Sequence, residues 1–441
     1  MTAIVISTKP PGSAHLNITL DDWSSVRLEV PLDYWDPSRG VTAVAFLKLS
    51  ATNATSNTRS LLINPGGPRG SGIESIFSQG LALAGLLQGQ HNIVGFDPRG
   101  VGLSGPSVDC WPGNPEGRAQ FESSTSRKST MPLPPRSIVG GLNGSAAFVS
   151  TPAVARDMLS FVEAEQKQRP AKNESDNEQA KLCWGKGTLR ILGPVCTRHQ
   201  IPTRRPLAKP EIQPYSFSTE RYYLSFTNAS NLFRSQFIFQ AMYIPAERLP
   251  KLAAILAGLE QSNTTAYAIA VTGGTIPASP CNYAPSTATR DVDTLKKCVD
   301  GAGEKRFRSI SQFEDYVDVL TSQSEFFGEV WPNNANGVAC RAFEVSPPET
   351  KKLKDTILDS RQTASRILFV TTEVDPVAPK RGANKMSSVF PGSAVLIQHS
   401  VGHTAFLRLS ICFARRIRDY LLSGQLPPPN STCQADAEPF W

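Results

Sequence analysis

The sequence predicts an α/β protein: a mainly parallel central sheet, flanked by helices on both faces, with a helical stretch inserted between two α/β halves. Three observations predict it. The N-terminal third alternates short apolar strands with a helix-period segment. The same alternation returns after residue 365. Between them, residues from about 220 to 345 read as helical. The chain therefore divides into a first half of the core at 1–200, a helical insertion at 201–345 and a second half of the core at 346–441.

Val26–Pro31 and Val41–Leu49 alternate apolar and polar residues, as strands facing a core do. Ser60–Asn64 is a third strand and runs into Pro-Gly-Gly. Ser71–Gln88 is apolar at helical spacing and is closed by Gly89. His91–Phe96 is a fourth strand, leading into Asp-Pro-Arg-Gly. Strand–helix–strand order of this kind argues for parallel pairing. Residues 111–150 are rich in Pro, Ser and Gly and read as a surface excursion. Thr151–Lys167 is a helix, with Thr151 placed to cap it, Pro152 suited to its first turn, and Val154, Met158, Phe161 and Val162 on one face. Leu249–Leu259 and Gln312–Gly328 are the clearest helices of the insertion. Arg366–Thr371 is a strongly apolar strand, followed by a helix at Lys380–Phe390, a strand at Ala394–Gln398 and an amphipathic helix at Leu407–Leu422. These are six strands, and a mainly parallel sheet of about eight is expected.

Composition narrows the function. Of 441 residues, 40% are hydrophobic and 19% charged, enough apolar material for a large core, which excludes a wholly disordered chain. No apolar run is long enough to span a membrane, so no membrane partner is expected. The first twenty residues lack the basic start and long apolar stretch of a signal peptide. The net charge is +7, and residues 181–210 supply all of it: Lys181, Lys186, Arg190, Arg198, Arg204, Arg205 and Lys209, with no acidic residue among them. That is a local excess among prolines, not a basic face interleaved with aromatics, so nucleic acid is not expected as a partner.

Eight cysteines (Cys110, Cys183, Cys196, Cys281, Cys298, Cys340, Cys412, Cys433) show no paired-cysteine or histidine spacing of a metal site, so no structural metal is expected. Asn-x-Ser/Thr sequons begin at Asn17, Asn53, Asn143, Asn173, Asn228, Asn263 and Asn430. Together with the cysteines they point to a secretory ancestry, although no leader is visible. Cys281 and Cys298 bracket a short loop and are expected to pair. Cys412 and Cys433 are each expected to find a partner, with Cys340 one candidate. Cys183 and Cys196 are expected to stay unpaired.

Four constellations carry chemistry. Asn64-Pro-Gly-Gly-Pro-Arg-Gly-Ser-Gly72 follows a strand and opens a helix, a place where backbone N–H groups can face an anion. Gly95–Ser104 follows the next strand, and Asp97 and Arg99 are placed to pair and fix that turn as scaffold. Asp375 lies just past the strand of RILFVTTEVDPVAP. His403 follows VLIQHSVG, 28 residues on, with one helix and one strand between them. Both then emerge at the C-terminal edge of neighbouring parallel strands, where ligands bind in open α/β sheets. An Asp in that place can orient a His and stabilise its imidazolium. His399 lies before the turn and is expected to pack on the final helix.

NPGGPRGSG, VGFDPRGVGLSGPSVDC, TPAVARDM, the block from ILFVTTEVDPVAP through FPGSAVLIQHSVGH to Ser431-Thr-Cys-Gln434, and LEVPLDYWDP near the start resemble α/β-hydrolases of the prolyl- and tripeptidyl-aminopeptidase type, the fungal secreted branch most of all. The resemblance covers residues 22–183 and roughly 325–440. It implies a serine-hydrolase fold with a helical lid, cleavage of N-terminal residues from peptides, and no cofactor. It also implies that Gly66 and Gly67 lie in the oxyanion loop, with Asp375 as the acid and His403 as the base.

The sequence departs from that pattern at one place. The fold calls for a G-x-S-x-G nucleophile elbow. The family's Trp-Gly lead-in is present as Trp184-Gly185, but Gly187 occupies the slot of the serine, and no G-x-S-x-G occurs in the chain. Thr188 and Cys196 are the weak substitutes nearby. Pro194, Pro202, Pro206, Pro210 and Pro214 exclude a long helix or a central strand there, so residues 185–220 are expected to be a disrupted part of the fold. Three readings stay open: a serine-type hydrolase of peptide amides or esters whose elbow is hidden by a slipped reading frame, a small-molecule (secondary-metabolite) biosynthetic enzyme using Asp375 and His403 alone, and a non-catalytic relative that binds a small molecule or peptide.

Overall fold

A computed structural model describes residues 22–55, 58–106, 144–167, 238–267, 288–301, 309–324, 365–408 and 410–436, with the single residues 307, 340, 347 and 363. Among them two sheets form. The first contains β1 (Trp23–Pro31), β2 (Val41–Leu49), β3 (Arg59–Ile63) and β4 (His91–Phe96), in the order β1-β2-β4-β3. β1 and β2 are an antiparallel pair running Trp23↔Leu49 to Pro31↔Val41. β2 is antiparallel to β4, and β3 is parallel to β4. The second sheet contains β5 (Leu368–Val374), β6 (Ala394–Val401) and β7 (Ser431–Gln434), all parallel, in sequence order. Only β7 has no counterpart among the strands read from sequence, being four residues long with a single buried side chain. Segment 185–220 lies outside the described residues.

The strands alternate faces, and the two faces build two cores. Ala45, Leu47, Leu49, Leu61, Ile63 and Ile93 join the cluster under α1 (Gly72–Leu86). Their neighbours Val44, Phe46, Leu62, Val94 and Phe96 join the cluster under α2 (Thr151–Lys167), with Val154 and Met158. Phe46 stacks on Phe161 of α2 with ring centroids 4.3 Å apart. The first cluster also takes in Leu396 of β6, Cys433 of β7, and Phe413, Ile417 and Leu421 of the C-terminal helix, so one core is shared by both sheets. Apolar residues at period two in strands and period three to four in helices are sufficient to specify this layering.

Helix ends show how local chemistry sets boundaries. Ser71 caps α1 by accepting from the N–H of Glu74 at 3.0 Å. α1 lies so close to β4 that a Cβ on Gly72 would stand 2.2 Å from the Phe96 carbonyl oxygen, so only glycine fits there. α2 is capped differently from the expectation: Thr151 is its first residue, not its cap. Its N–H (2.7 Å) and hydroxyl (2.6 Å) donate to Asp300, while Ser150 accepts from Ala153 at 3.4 Å. A carboxylate from the insertion thus meets the positive end of a core helix.

The insertion's described helices are α3 (Phe239–Tyr243), α4 (Pro245–Glu260), α5 (Ala288–Asp300) and α6 (Ile310–Gln323). α7 (Lys380–Val389) joins β5 to β6, and α8 (Ile411–Ser423) precedes β7. The helix expected at Leu407–Leu422 is a short 3-10 turn at Ala405–Arg408 followed by α8, whose start is set by Ser410 accepting from Phe413 N–H.

Two expectations, the Cys281–Cys298 and Asp97–Arg99 pairs, are overturned. Cys298 pairs with Cys340, not Cys281, inside the small cluster that also holds Val101, Val149, Val292 and Leu295. Cys412 and Cys433 each find a partner, as expected, and it is the other of the two rather than Cys340, which ties α8 to β7. Asp97 and Arg99 do not pair. Asp97 accepts from the Ser71 hydroxyl at 2.5 Å and Leu103 N–H at 2.9 Å, which closes its own turn. Arg99 instead makes a bidentate pair with Asp157 of α2 (2.6 and 2.7 Å), donates to the carbonyls of Pro31 and Leu32, and lies under the ring of Tyr34. Both partners are fully buried. The sequence offers no sign of this, because the partner is 58 residues away. Cys110, Cys183, Cys196 and Cys281 lie outside the described residues.

Candidate active site

Asp375 directly follows β5, and His403 follows β6 after Gly402. Because β5 and β6 are parallel neighbours, the two loops leave the same edge. The imidazole Nδ1 of His403 stands 3.1 Å from Oδ1 and 3.2 Å from Oδ2 of Asp375. Asp375 is buried, its side chain 3% exposed against 19% for that of His403.

The carboxylate is held by the main chain as well as by the histidine. Oδ1 accepts from Val377 and Ala378 N–H, each at 2.8 Å, and Oδ2 from Thr404 N–H at 3.0 Å. Burial pushes the Asp375 carboxyl up, but the hydrogen bonds from His403, Ala378, Thr404 and Val377 outweigh it and hold it below the usual carboxylate value. An ionised carboxylate only accepts, so the Nδ1 that faces it carries a proton, and in the neutral imidazole Nε2 presents a lone pair. That is the tautomer a general base needs.

His403 is also seated from the insertion. Its N–H donates to the Tyr243 carbonyl at 2.9 Å, and the Tyr243 ring meets the imidazole edge-on at 5.3 Å. Thr372 of β5 donates its hydroxyl to the Gly402 carbonyl at 3.0 Å. Tyr243 is 160 positions from His403 in sequence, and no local pattern announces it.

Gly66 and Gly67 lie in the turn between β3 and α1, both at positive φ (74° and 118°). The Gly66 N–H donates to Asn64 Oδ1 at 3.1 Å, so the turn uses that donor itself. The slot at Gly187 and its neighbours Thr188 and Cys196 lie outside the described residues. His399 does not pack on α8. Its Nδ1 stands 3.8 Å from Glu373 on the neighbouring strand, half exposed. Of the sequon asparagines, Asn53, Asn263 and Asn430 are described and all are exposed, while Asn17, Asn143, Asn173 and Asn228 lie outside. Among the described residues no group of three His, Cys, Asp or Glu side chains can hold a metal ion, and no helix is long and apolar enough to cross a membrane.

The parallel β5–β6–β7 sheet, with acid and histidine on adjacent loops, is the C-terminal half of an α/β-hydrolase fold. Residues 324–433 match the family of TAP-like proteins within the α/β-hydrolases. Over 84 residues the chain is 42% identical to the serine protease Hip1 of Mycobacterium tuberculosis, a match covering 19% of this chain and 16% of that one. It is 37% identical over 84 residues to carboxylesterase B of the same species, with the same coverage. It is 38% identical over 85 residues to a tripeptidyl aminopeptidase of Streptomyces coelicolor, covering 18% of this chain and 15% of that one. The matched segment therefore spans about a sixth of the length of the curated relatives, 16% of the first of them.

Proposed function

We propose that this chain is a hydrolase of the TAP-like type that cleaves amide or ester bonds by acyl transfer, with His403 as general base and Asp375 as its orienting acid. The observation that carries the reading is the buried Asp375 carboxylate 3.1 Å from Nδ1 of His403, the orientation that leaves Nε2 for a reacting group. The relatives' names support the reaction class: a serine protease cleaves amides through an acylated serine, and the carboxylesterase and aminopeptidase names cover the ester and amide bonds of the proposal.

In this reading His403 Nε2 takes the proton of an attacking hydroxyl and returns it to the leaving amine or alcohol. Asp375, already ionised and fixed by four donors, stabilises the imidazolium that forms between those steps. The Gly67 N–H, in the turn after β3, is the donor assigned to the oxyanion, because the Gly66 N–H is bound to Asn64. We place the nucleophile in the segment after Trp184-Gly185, in a frame that restores G-x-S-x-G. Removal of single residues or short peptides from a free N-terminus is the narrower form of the proposal. No cofactor enters it.

The absence of G-x-S-x-G favours a second reading, in which Asp375–His403 performs acid–base chemistry on a small molecule through water alone. A fluorophosphonate probe separates the two. Labelling that disappears in His403→Ala supports acyl transfer. Turnover of an ester or amide panel without labelling supports the second reading. No labelling and no turnover overturns both and leaves a binding protein. Sequencing the transcript across codons 183–222 shows independently whether the elbow is encoded.

A further inference from the structure

We propose that Asn263 and Asn430 are N-glycosylation sites, and that this chain folds in the oxidising lumen of a secretory pathway. Two independent features carry the inference. The first is covalent: the four cysteines that are described form two bridges, Cys298–Cys340 and Cys412–Cys433, and three of these four residues are buried in the hydrophobic clusters. Bridges of this kind persist where no thiol pool reduces them.

The second is the presentation of the two asparagines. Asn263 lies in the turn after α4, where Ser262 is left-handed (φ 58°) and the Asn263 N–H donates back to the Gly258 carbonyl at 2.8 Å. The main chain holds that turn, so its amide side chain is free to face solvent. Oδ1 accepts only from Thr265 N–H at 3.1 Å, and Nδ2 has no hydrogen-bond partner among the described residues. Thr265, which supplies the sequon hydroxyl, is exposed. Asn430, left-handed at φ 57°, immediately precedes β7, and its exposed amide makes no hydrogen bond among the described residues. Its sequon hydroxyl, Thr432, is exposed on β7. By contrast Asn53, also in a sequon, donates Nδ2 to the Gln88 carbonyl at 2.8 Å against Gly89 and is not part of the proposal.

The transfer needs a lipid-diphosphate-linked oligosaccharide, which the secretory membrane supplies with its transferase. Nδ2 attacks the anomeric carbon of the first sugar. The N–C bond forms as the C–O bond to the diphosphate breaks, the lipid diphosphate leaves, and one Nδ2 proton passes to the transferase. A glycan on Asn430 would have a structural consequence. Among the described residues β7 pairs only with β6 and forms the edge of its sheet. A bulky polar chain at its start blocks another strand from adding there.

The test expresses the full chain behind a secretion leader in yeast, with a reporter glycoprotein as control for transferase activity. Total protein from cells and medium is deglycosylated in heavy-oxygen water and mapped by peptide mass spectrometry. Both asparagines are expected to return as heavy-oxygen aspartate, and Thr265→Val and Thr432→Val are each expected to remove one glycan's gel shift. Each variant keeps the other sequon, and the retained glycan there shows that the chain was made and reached the lumen. Recovery of either asparagine unmodified beside a glycosylated reporter overturns the proposal at that site. Unmodified asparagine at both overturns it entirely.

Discussion

The main-chain N–H of His403 donates to the carbonyl of Tyr243 at 2.9 Å, and the two rings meet edge to face at 5.3 Å. One residue earlier, Gly402 at φ 124° lies under Pro245, the first residue of α4. The insertion is therefore not merely laid over the sheet. It supplies the surface on which the β6–His403 turn is seated, while Asp375 fixes the ring from the other side.

Replacing Asp375 with Asn tests the orienting role. If Asn keeps its oxygen toward Val377 and Ala378, its amide faces Thr404 N–H and His403 Nδ1, where only an acceptor fits. The imidazole is then driven to the opposite tautomer, with Nε2 protonated. Under the proposed function kcat is expected to fall about ten-thousand-fold, with KM little changed. Steady-state kinetics on an aminoacyl or ester substrate measure this. A loss under tenfold would show that Asp375 does not orient the base.

Gly402→Ala probes the seat. A Cβ there would stand 2.8 Å from Pro245 Cδ and 3.1 Å from the Tyr243 carbonyl oxygen, on a backbone conformation that side chains avoid. Destabilisation by more than about 1 kcal/mol is expected from urea unfolding midpoints. An unchanged midpoint would mean that the turn shifts freely away from α4.

The Arg99–Asp157 pair is buried on both sides, so removing one partner leaves an uncompensated charge. Asp157→Leu or Arg99→Met alone is expected to cost about 3–5 kcal/mol. The double variant Arg99→Met/Asp157→Leu should cost clearly less than the sum. A double-mutant cycle by chemical denaturation reads the coupling, and strict additivity would contradict an ion pair that is dependent on both members.

Lys296 of α5 is 3% exposed. Burial drives its ammonium down from 10.5 to about 8, opposed by the nearby Asp300 and Asp157 charges. Below about pH 8 both folded and unfolded forms carry the proton, and the burial penalty is fully present. Between about pH 8 and 10.5 the unfolded chain binds the proton and the folded one does not, so stability rises with pH. Lys296→Met removes this slope. The stability of wild type relative to the variant is therefore expected to climb across that window, whatever its sign at neutral pH. Parallel curves would place the ammonium in water.

The Cys298–Cys340 bridge closes a sequence separation of 42 residues between α5 and the stretch beyond α6. Chain entropy predicts a loss of about 4 kcal/mol for Cys298→Ser/Cys340→Ser. Thermal unfolding measures the loss, and non-reducing peptide mapping checks the pairing directly. A Cys281–Cys298 peptide in that map would overturn the bridge described above.

The sequence by itself determined the elements whose signals are local. His91–Phe96, Val41–Leu49 and Thr151–Lys167 are strands and helix with the same bounds in the structure, because period, proline and glycine placement act within a few residues. The order of strand and helix around Asp375 and His403 was enough to place both at one sheet edge, because parallel neighbours joined by a helix must present equivalent ends together. Only the tertiary structure decided which partners meet across the chain: Arg99 with Asp157 rather than Asp97, Cys298 with Cys340 rather than Cys281, and Tyr243 against His403. In each case several residues of the right chemistry were available at different separations in sequence. The choice was made by where helices α2, α3 and α5 dock, which depends on the burial of whole faces and leaves no trace in the residues beside the site.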